Sequence, residues 1–487
     1  MKGGTLMNFL ALVPIAFPMA LAVGMHFVEF KNESYKRAYL LGGVFLNFIF
    51  AMMVIFVANP EMHIFKINDF MEIYFKVDGM SKLFITMTSI LWIFTTAYSF
   101  DYMHHEGKEQ KFFTYFLVTY GVIVGISLAG NIFTFYIFYE FLTLSTFPLV
   151  IHTGTKEALA SGKKYLIYSF SGATLVLLGM ILLFSVTGTL DFVPGGILEG
   201  VAINNRVTAA YVILFLGFSV KAAMVPFHSW LPAAMVAPTP VSSLLHAVAV
   251  VKSGIFALIR ITFYLFGAEA VNAMHVRGYL SILVALTILM GSFVALHQEN
   301  LKKRLAYSTI SQLGYIMLGI LLLNEDGLTG ALLHLINHAV IKITLFFCVG
   351  IIMLRTGYKT IGEIRGIGKK MPITMGCFSI ASISLIGIPP TNGFVSKWFL
   401  AMGGLQENRA IFVVILLVSA ILTAAYLMPI VITAFFPGEM GKELENSEPP
   451  LMMLIPVVVL TGITVAFGLF PNFILHFIQG ISRSLIG

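Results

Sequence analysis

Four lysines, Lys221, Lys252, Lys342 and Lys397, sit inside long apolar stretches of this chain, and Glu140 is the only acid placed as deeply. Ionisable side chains are costly at the centre of a bilayer, so those found there face a polar pathway or one another. One carboxylate, several amines and interior histidines are the parts that a chain of proton-relay sites needs. Three of these groups share a helix face. His334, His338 and Lys342 recur every four residues, which sets them along one stripe about 12 Å long. A neutral imidazole accepts a proton at one nitrogen and donates from the other, so stacked histidines can pass protons on through water. Asn337 stands beside the stripe, where it could orient a water. Helix-packing hydrogen bonds would account for a single histidine. Three titratable groups in register favour the relay.

His246 and Lys252 are six residues apart and so do not share a stripe. Lys252 falls near the middle of its span, and His246 falls about a turn inside one end, where it could gate access. His228 follows a broken segment and is read the same way, with helix capping as the alternative. Arg260 lies near the outer end of its span, where a long stem can snorkel to water, and takes a structural role.

The elements that position these groups must be membrane helices. Hydrophobic residues make up 58% of the 487, charged residues 11%, and the mean hydropathy is +0.91, far above soluble domains. Repeated apolar stretches of about 20 residues match a hydrocarbon core roughly 30 Å thick. Walking the chain gives about fourteen spans: 7–28, 38–58, 79–100, 112–130, 132–152, 164–187, 207–227, 241–266, 279–297, 304–323, 328–354, 373–403, 409–435 and 451–470. A short apolar tail, residues 472–486, reads as a half-helix at the interface. The first run lacks a small-residue cleavage site and reads as a span rather than a signal peptide.

The net charge of +7 does not indicate nucleic acid, because the bases sit in short loops between spans. Loops after odd-numbered spans hold 17 Lys and Arg, Lys442 among them, against 7 on the other side, Lys2 among those. The positive-inside rule then puts the odd loops in the cytoplasm and both termini outside. Cys348 and Cys377 lie within apolar helices and form no metal, cluster or disulfide pattern. Neither a Gly-rich dinucleotide loop nor a Walker motif is present, so no cofactor and no metal is assigned to the chain.

Two spans look broken. Span seven carries Lys221 and then Pro226; span twelve carries Pro389, Pro390, Gly393 and then Lys397. Proline removes a backbone donor and clashes with the preceding turn, which frees carbonyls for water or an ion. Broken helices at matching places in two halves point to inverted repeats around an ion path. The two are five spans apart, so repeats of five helices, spans four to eight and nine to thirteen, fit, and an odd number inverts the second copy. The segments are then 1–111, 112–266, 267–435 and 436–487.

Several segments resemble the antiporter-like subunits shared by respiratory complex I, Mrp-type cation/proton antiporters and membrane-bound hydrogenase-type complexes. They are Lys-Ala-Ala-Met-Val-Pro-Phe-His-Ser-Trp-Leu-Pro at 221–232, Thr-Pro-Val-Ser-Ser-Leu-Leu-His-Ala-Val-Ala-Val-Val-Lys-Ser-Gly at 239–254, the run 301–315, the span-eleven stripe at 334–342 and the span-twelve break. The resemblance covers spans three to thirteen. It implies fourteen helices with two inverted five-helix repeats, an acid at Glu140, key lysines at Lys221, Lys252 and Lys397, and a relay at His334, His338 and Lys342. Ala233 and Ala234 stand where many complex I members carry an aspartate, and residues 235–242 look closer to the large Mrp subunits. Lys397 marks a lysine-type copy, since some relatives use glutamate there.

The expectation is an all-α integral membrane protein that moves protons through Glu140, Lys221, His228, His246, Lys252, His334, His338, Lys342 and Lys397. An ion pair between Glu140 and Lys221 would hold the amine charged until a neighbouring unit draws on the acid. Energy must come from outside the chain: from a hydrophilic redox arm, or from an ion gradient as in an Mrp-type Na⁺/H⁺ antiporter. The expected partners are other antiporter-like and small membrane subunits and the lipid bilayer. Protons are the cargo, with Na⁺ an open second one, and the setting is the plasma membrane of a prokaryote.

Overall fold

The computed structural model describes residues 9–28, 30–68, 70–436 and 448–486. Lys2, Lys442 and both chain ends, which enter the orientation argument, lie outside the described residues. The chain is mainly helical. Its helices are α1 (Val13–Gly24), α2 (Glu33–Met53), α3 (Gly79–Glu106), α4 (Glu109–Leu128), α5 (Ile132–Val150), α6 (Lys156–Thr187), α7 (Asn205–Lys221), α8 (Thr239–Ala247) and α9 (Val250–Arg260). They continue as α10 (Arg277–Leu296), α11 (Leu301–Leu322), α12 (Glu325–Thr356), α13 (Pro372–Ile386), α14 (Asn392–Gln406), α15 (Ala410–Phe435), α16 (Leu451–Leu469) and α17 (Asn472–Ile486). Among the described residues, 11 helical stretches are long and apolar enough to cross a membrane, and Leu10–Gly24 and Pro372–Ile386 are shorter apolar helices.

Helix starts are written into the sequence. Asn32, Asp78, Asn131, Thr155, Asn300 and Asn324 each accept a bond from a first-turn backbone N–H, at 2.7 to 3.1 Å. These short polar side chains satisfy amides that the helix itself leaves open. Two helices run past their apolar spans for this reason. α6 begins at Lys156 rather than 164, and α12 covers Glu325–Thr356, because charged turns outside the apolar stretch are still good helix formers.

The chain divides into two compact units, one of residues 1–221 and 256–276, the other of residues 222–255 and 277–486. In the first unit α6 and α7 approach closely through Gly172 and Gly217. A Cβ on either would stand under 3.0 Å from the other's carbonyl oxygen, so backbone packs on backbone, as membrane helices favour. This unit also holds a two-stranded antiparallel hairpin, β1 (Glu61–Lys66) and β2 (Glu72–Lys76), which the hydropathy reading passed over. β2 is tied to the start of α5. Tyr74 donates its hydroxyl to the Gly130 carbonyl at 2.8 Å, and Asn131 donates to the Glu72 carbonyl at 3.0 Å.

In the second unit α12 is buried through its apolar length and packs against α8, α11, α13, α14, α16 and α17. α17 is amphipathic: Ile478, Ile481 and Leu485 are buried, while Arg483 reaches Glu325 at 2.8 Å. By contrast α15 leaves Ile411, Val414, Leu417 and Ile421 exposed, the apolar outer face expected of a helix against lipid.

Candidate functional site

Helix α7 ends at Lys221 itself. It is followed by a turn, then by short helical pieces at Phe227–Ser229, Trp230–Ala233 and Ala234–Val236. The break expected near Pro226 therefore begins five residues earlier, at the lysine. Ala223 takes a left-handed backbone (φ 54), and the Val225–Pro226 peptide is cis. The second expected break falls between Ile386 and Asn392, with Pro389–Pro390 cis inside it. A third break is new. Val248 and Ala249 interrupt span eight between His246 and Lys252, and no proline or glycine announces it.

Within the first unit, the expected Glu140–Lys221 ion pair is not formed. The buried Lys221 amine donates to the Tyr139 carbonyl oxygen at 2.5 Å and lies 3.4 Å from the centre of the Tyr139 ring. Glu140 is half-buried, and its Oε1 has no hydrogen-bond partner among the described residues. Adjacent helix positions point about 100° apart. Tyr139 therefore faces α7, where it also packs on Phe218, and Glu140 turns aside by one position.

Arg260 is also a correction. It does not snorkel: it is 1% exposed, and both terminal nitrogens pair with the Asp78 carboxylate, while Nη2 is 3.3 Å from Ser81 Oγ. Phe192, Phe256 and Tyr264 surround the guanidinium with ring centres at 5.0, 4.9 and 4.4 Å. The sequence offered no pairing acid, because Asp78 lies 182 positions away.

Within the second unit the site is a connected polar chain in an apolar interior. The Lys252 amine lies 2.8 Å from His338 Nδ1, and both residues are fully buried. The His338 and His334 rings stack at 5.9 Å, as the four-residue spacing requires. His334 Nε2 then meets Gln312 Oε1 at 3.0 Å, and its Nδ1 meets Ser396 Oγ at 2.9 Å. An amide oxygen only accepts, so Nε2 carries the ring proton and Nδ1 accepts from Ser396. That hydroxyl has a second acceptor, the Gly393 carbonyl at 3.1 Å, so its single proton has two places to point.

Lys397, the residue after Ser396, donates to the Leu385 and Ile386 carbonyls at 2.7 and 2.8 Å. These are the last carbonyls of α13, left open by the break, at the negative end of that helix. Tyr315 lies between the two groups: its ring is 5.5 Å from His334 and 5.1 Å from the Lys397 amine. Lys342 is on the same α12 face, but its amine is bound to the Leu305 carbonyl at 3.0 Å and to Ser308 Oγ, both on α11.

Asn337 does not stand beside an open stripe. It donates to the Asn392 carbonyl at 2.8 Å and accepts from Asn392 Nδ2 at 3.1 Å, while Ser384 Oγ donates to Asn392 Oδ1 at 2.6 Å. Asn337 thus holds the two ends of the span-twelve break. His246 is fully buried, with its ring 4.9 Å from Phe346 and neither nitrogen bonded among the described residues. His228 lies in the turn Phe227–Ser229 and is half-buried. Gln312, Tyr315, Ser308 and Ser396 were missed as site residues. Their one signal was position, since three lie on α11 within a quoted motif or a turn of it and one adjoins Lys397.

The family described as NADH:quinone oxidoreductase/Mrp antiporter, TM, matches residues 129–423. NADH-quinone oxidoreductase subunit N of Desulforudis audaxviator is 33% identical over 412 residues, covering 81% of this chain and 81% of that protein. A Na(+)/H(+) antiporter protein of Bacillus subtilis is 26% identical over 488 residues, 99% of this chain and 98% of that one. The chain also matches longer Na(+)/H(+) antiporter proteins, of which it spans about half the length. A chain of the membrane-bound sulfane sulfur reductase, an archaeal respiratory membrane complex, superposes with a TM-score of 0.86 at 23% identity. It covers 100% of this chain and 98% of its own. The match in sequence over most of the chain, joined to this buried lysine–histidine arrangement, makes the protein a member of the NADH:quinone oxidoreductase/Mrp antiporter family of membrane proteins.

Proposed function

We propose that the chain is the proton-translocating, antiporter-like subunit of a multisubunit, redox-driven membrane complex, and that it performs no chemistry on a substrate itself. The observation that carries this is the Lys252–His338 contact and its continuation through His334 to Ser396 and Gln312. An ammonium at Lys252 can hand its proton to His338 Nδ1, which leaves the amine neutral and the imidazole charged. His338 then loses a proton from Nε2. The stacked rings make no direct hydrogen bond at 5.9 Å, so that proton crosses by way of a bridging water. His334, Ser396 and Lys397 carry it toward the broken end of α13. Lys342, His246 and His228 serve as side stations or gates. In the first unit Lys221 rests on the Tyr139 carbonyl, and Glu140, unpaired at Oε1 among the described residues, acts on its charge from the neighbouring helix position.

The fold is read as about fourteen spans, in which α7 joins the turns after it, α8 joins α9, and α13 joins α14. The two inverted five-helix repeats and the segments 1–111, 112–266, 267–435 and 436–487 belong to the same reading. Its support is that breaks occur at Lys221 and before Lys397, five spans apart. Neighbouring membrane subunits and a redox arm would supply the driving force, in a prokaryotic plasma membrane with both termini outside. A gradient-driven Na⁺/H⁺ antiporter is the second reading, favoured by the match to the Bacillus subtilis antiporter protein along 99% of the chain.

The test is proton flux in proteoliposomes, normalised to assembled complex. His338→Phe removes the acceptor of Lys252 and should slow flux about tenfold or more, an added barrier above about 1.4 kcal/mol. Leu335→Phe on the same helix, a buried position away from the stripe, should leave flux per complex near wild type. Equal flux in His338→Phe and wild type would reduce the stripe to helix packing. Flux that persists without any redox partner but requires Na⁺ selects the second reading.

A further inference from the structure

Helices α10 and α15 of the second unit pack side by side, and at their N-terminal ends they leave a groove of about 310 Å³. Its walls are apolar, formed by Ile282, Leu286 and Leu289 of α10 and by Ile411, Phe412 and Ile415 of α15, with Arg409 at its mouth. It opens outward, since Ile282 is 60% and Ile411 61% exposed. On α10 it runs from Gly278 to Leu289, about 16 Å of helix. None of the proton-path residues lines it.

The charge at the mouth is unbalanced. Arg277 is engaged by Glu407 at 2.9 Å and by the Leu322 carbonyl at 3.2 Å. Arg409 feels both of these charges, but its guanidinium makes no hydrogen bond among the described residues and lies 5.6 Å from the Phe412 ring. Two guanidiniums and one carboxylate leave one positive charge above an apolar trough. Tyr279, 76% exposed one position beyond Gly278, has the character of an interfacial anchor, which sets the mouth at headgroup depth.

We propose that this groove holds one anionic phospholipid, its phosphate on the Arg409 guanidinium and one acyl chain along α10. A guanidinium presents a planar fork of donors that matches phosphate oxygens two at a time. The apolar walls bury methylenes and give a free phosphate ion nothing to hold. The excess positive charge selects an anionic headgroup over a zwitterionic one.

The test uses the assembled complex, reconstituted in nanodiscs of phosphatidylcholine with one-fifth phosphatidylglycerol, re-extracted in mild detergent and assayed for retained lipid by mass spectrometry. The wild type should retain phosphatidylglycerol well above its share of the bilayer. Arg409→Gln should lower that enrichment about tenfold, the size of a lost charge-assisted pair, and Arg206→Gln, at an exposed arginine elsewhere, should not. Ala285→Trp, which fills the trough and keeps Arg409, should lower it as far. Retention in proportion to the bilayer, or retention unchanged in both Arg409→Gln and Ala285→Trp, overturns the proposal. So does a photocrosslinker at Ile282 that captures a protein in place of lipid.

Discussion

A sealed guanidinium and a snorkelling one respond differently to the same substitution. Arg260 is closed in by three aromatic rings and held by both oxygens of Asp78. Lysine keeps the charge but offers a single ammonium on a narrower stem, so one carboxylate oxygen and the ring contacts lose their partner. Arg260→Lys should therefore cost about 1–3 kcal/mol, read as a lowered thermal midpoint of the detergent-solubilised complex, and Arg260→Ala should cost more, since it strands Asp78. A midpoint unchanged in Arg260→Lys would return the residue to a peripheral role. Glu140→Gln asks a different question. Among the described residues its Oε1 has no hydrogen-bond partner, so assembly should persist while flux falls to a small fraction of wild type; wild-type pumping would remove the acid from the mechanism. The four lysines and the histidines were legible because a charge in an apolar run has few bland explanations. Gln312, Tyr315, Ser308 and Ser396 were not, because neutral polar residues are ordinary in such helices. The partner of Lys221 was misread for a related reason: sequence names side chains, and the amine chose a backbone carbonyl.

Proline announced two of the helix breaks and was silent about a third. At span twelve the chain must stop, turn and restart, and Gly387 makes the stop possible with φ +93, a region that L side chains enter at a cost of about 1–2 kcal/mol. A Cβ there would also stand 2.8 Å from Lys397 Cδ. Gly387→Ala should thus both destabilise the protein, by about 1–3 kcal/mol, and push the Lys397 amine off the carbonyls of Leu385 and Ile386. Gly376→Ala, in the body of the same helix with open space around it, should be neutral or slightly stabilising. Thermal midpoints of the two variants decide the matter, and equal midpoints would show that the stop tolerates a side chain. The break at Val248–Ala249 carries no such marker, since both residues are at home in a helix or a strand. Asn337 likewise had a helical position beside the stripe, and only folding shows that Asn392 and Ser384 claim it. The β1–β2 hairpin was invisible to hydropathy because its strands are short and lie between two spans that dominate every window.

At the scale of the whole molecule, the orientation rests on loop charge, and the structure changes what some of that charge does. Arg304, at the first position of span ten and counted among the 17 bases of the odd-numbered loops, is 4% exposed and donates to the carbonyls of Leu296, Gln298 and Tyr426. Lys302 is 5% exposed and donates to the Ala237 carbonyl at 2.6 Å. Both hold helix ends together as well as carrying charge, yet removing them leaves the loops after odd-numbered spans well ahead in bases, which favours the same orientation. Labelling tests it directly. Gly366 is a poor site for a cysteine, because it has φ +72 and its N–H is bonded to the Thr433 carbonyl at 3.0 Å. Lys369, exposed in the same loop, is a better one, and Ser484 on the exposed side of α17 reports the other face. The native Cys348 and Cys377 are buried and should stay silent toward a membrane-impermeant maleimide. In intact cells Ser484→Cys should react and Lys369→Cys should not; in inverted vesicles the order should reverse. An α17 that lies at the outer surface, across the membrane from the loop before α13, requires both results. Reaction of both positions from one side would break the parity of the spans between them and, with it, the fourteen-span reading.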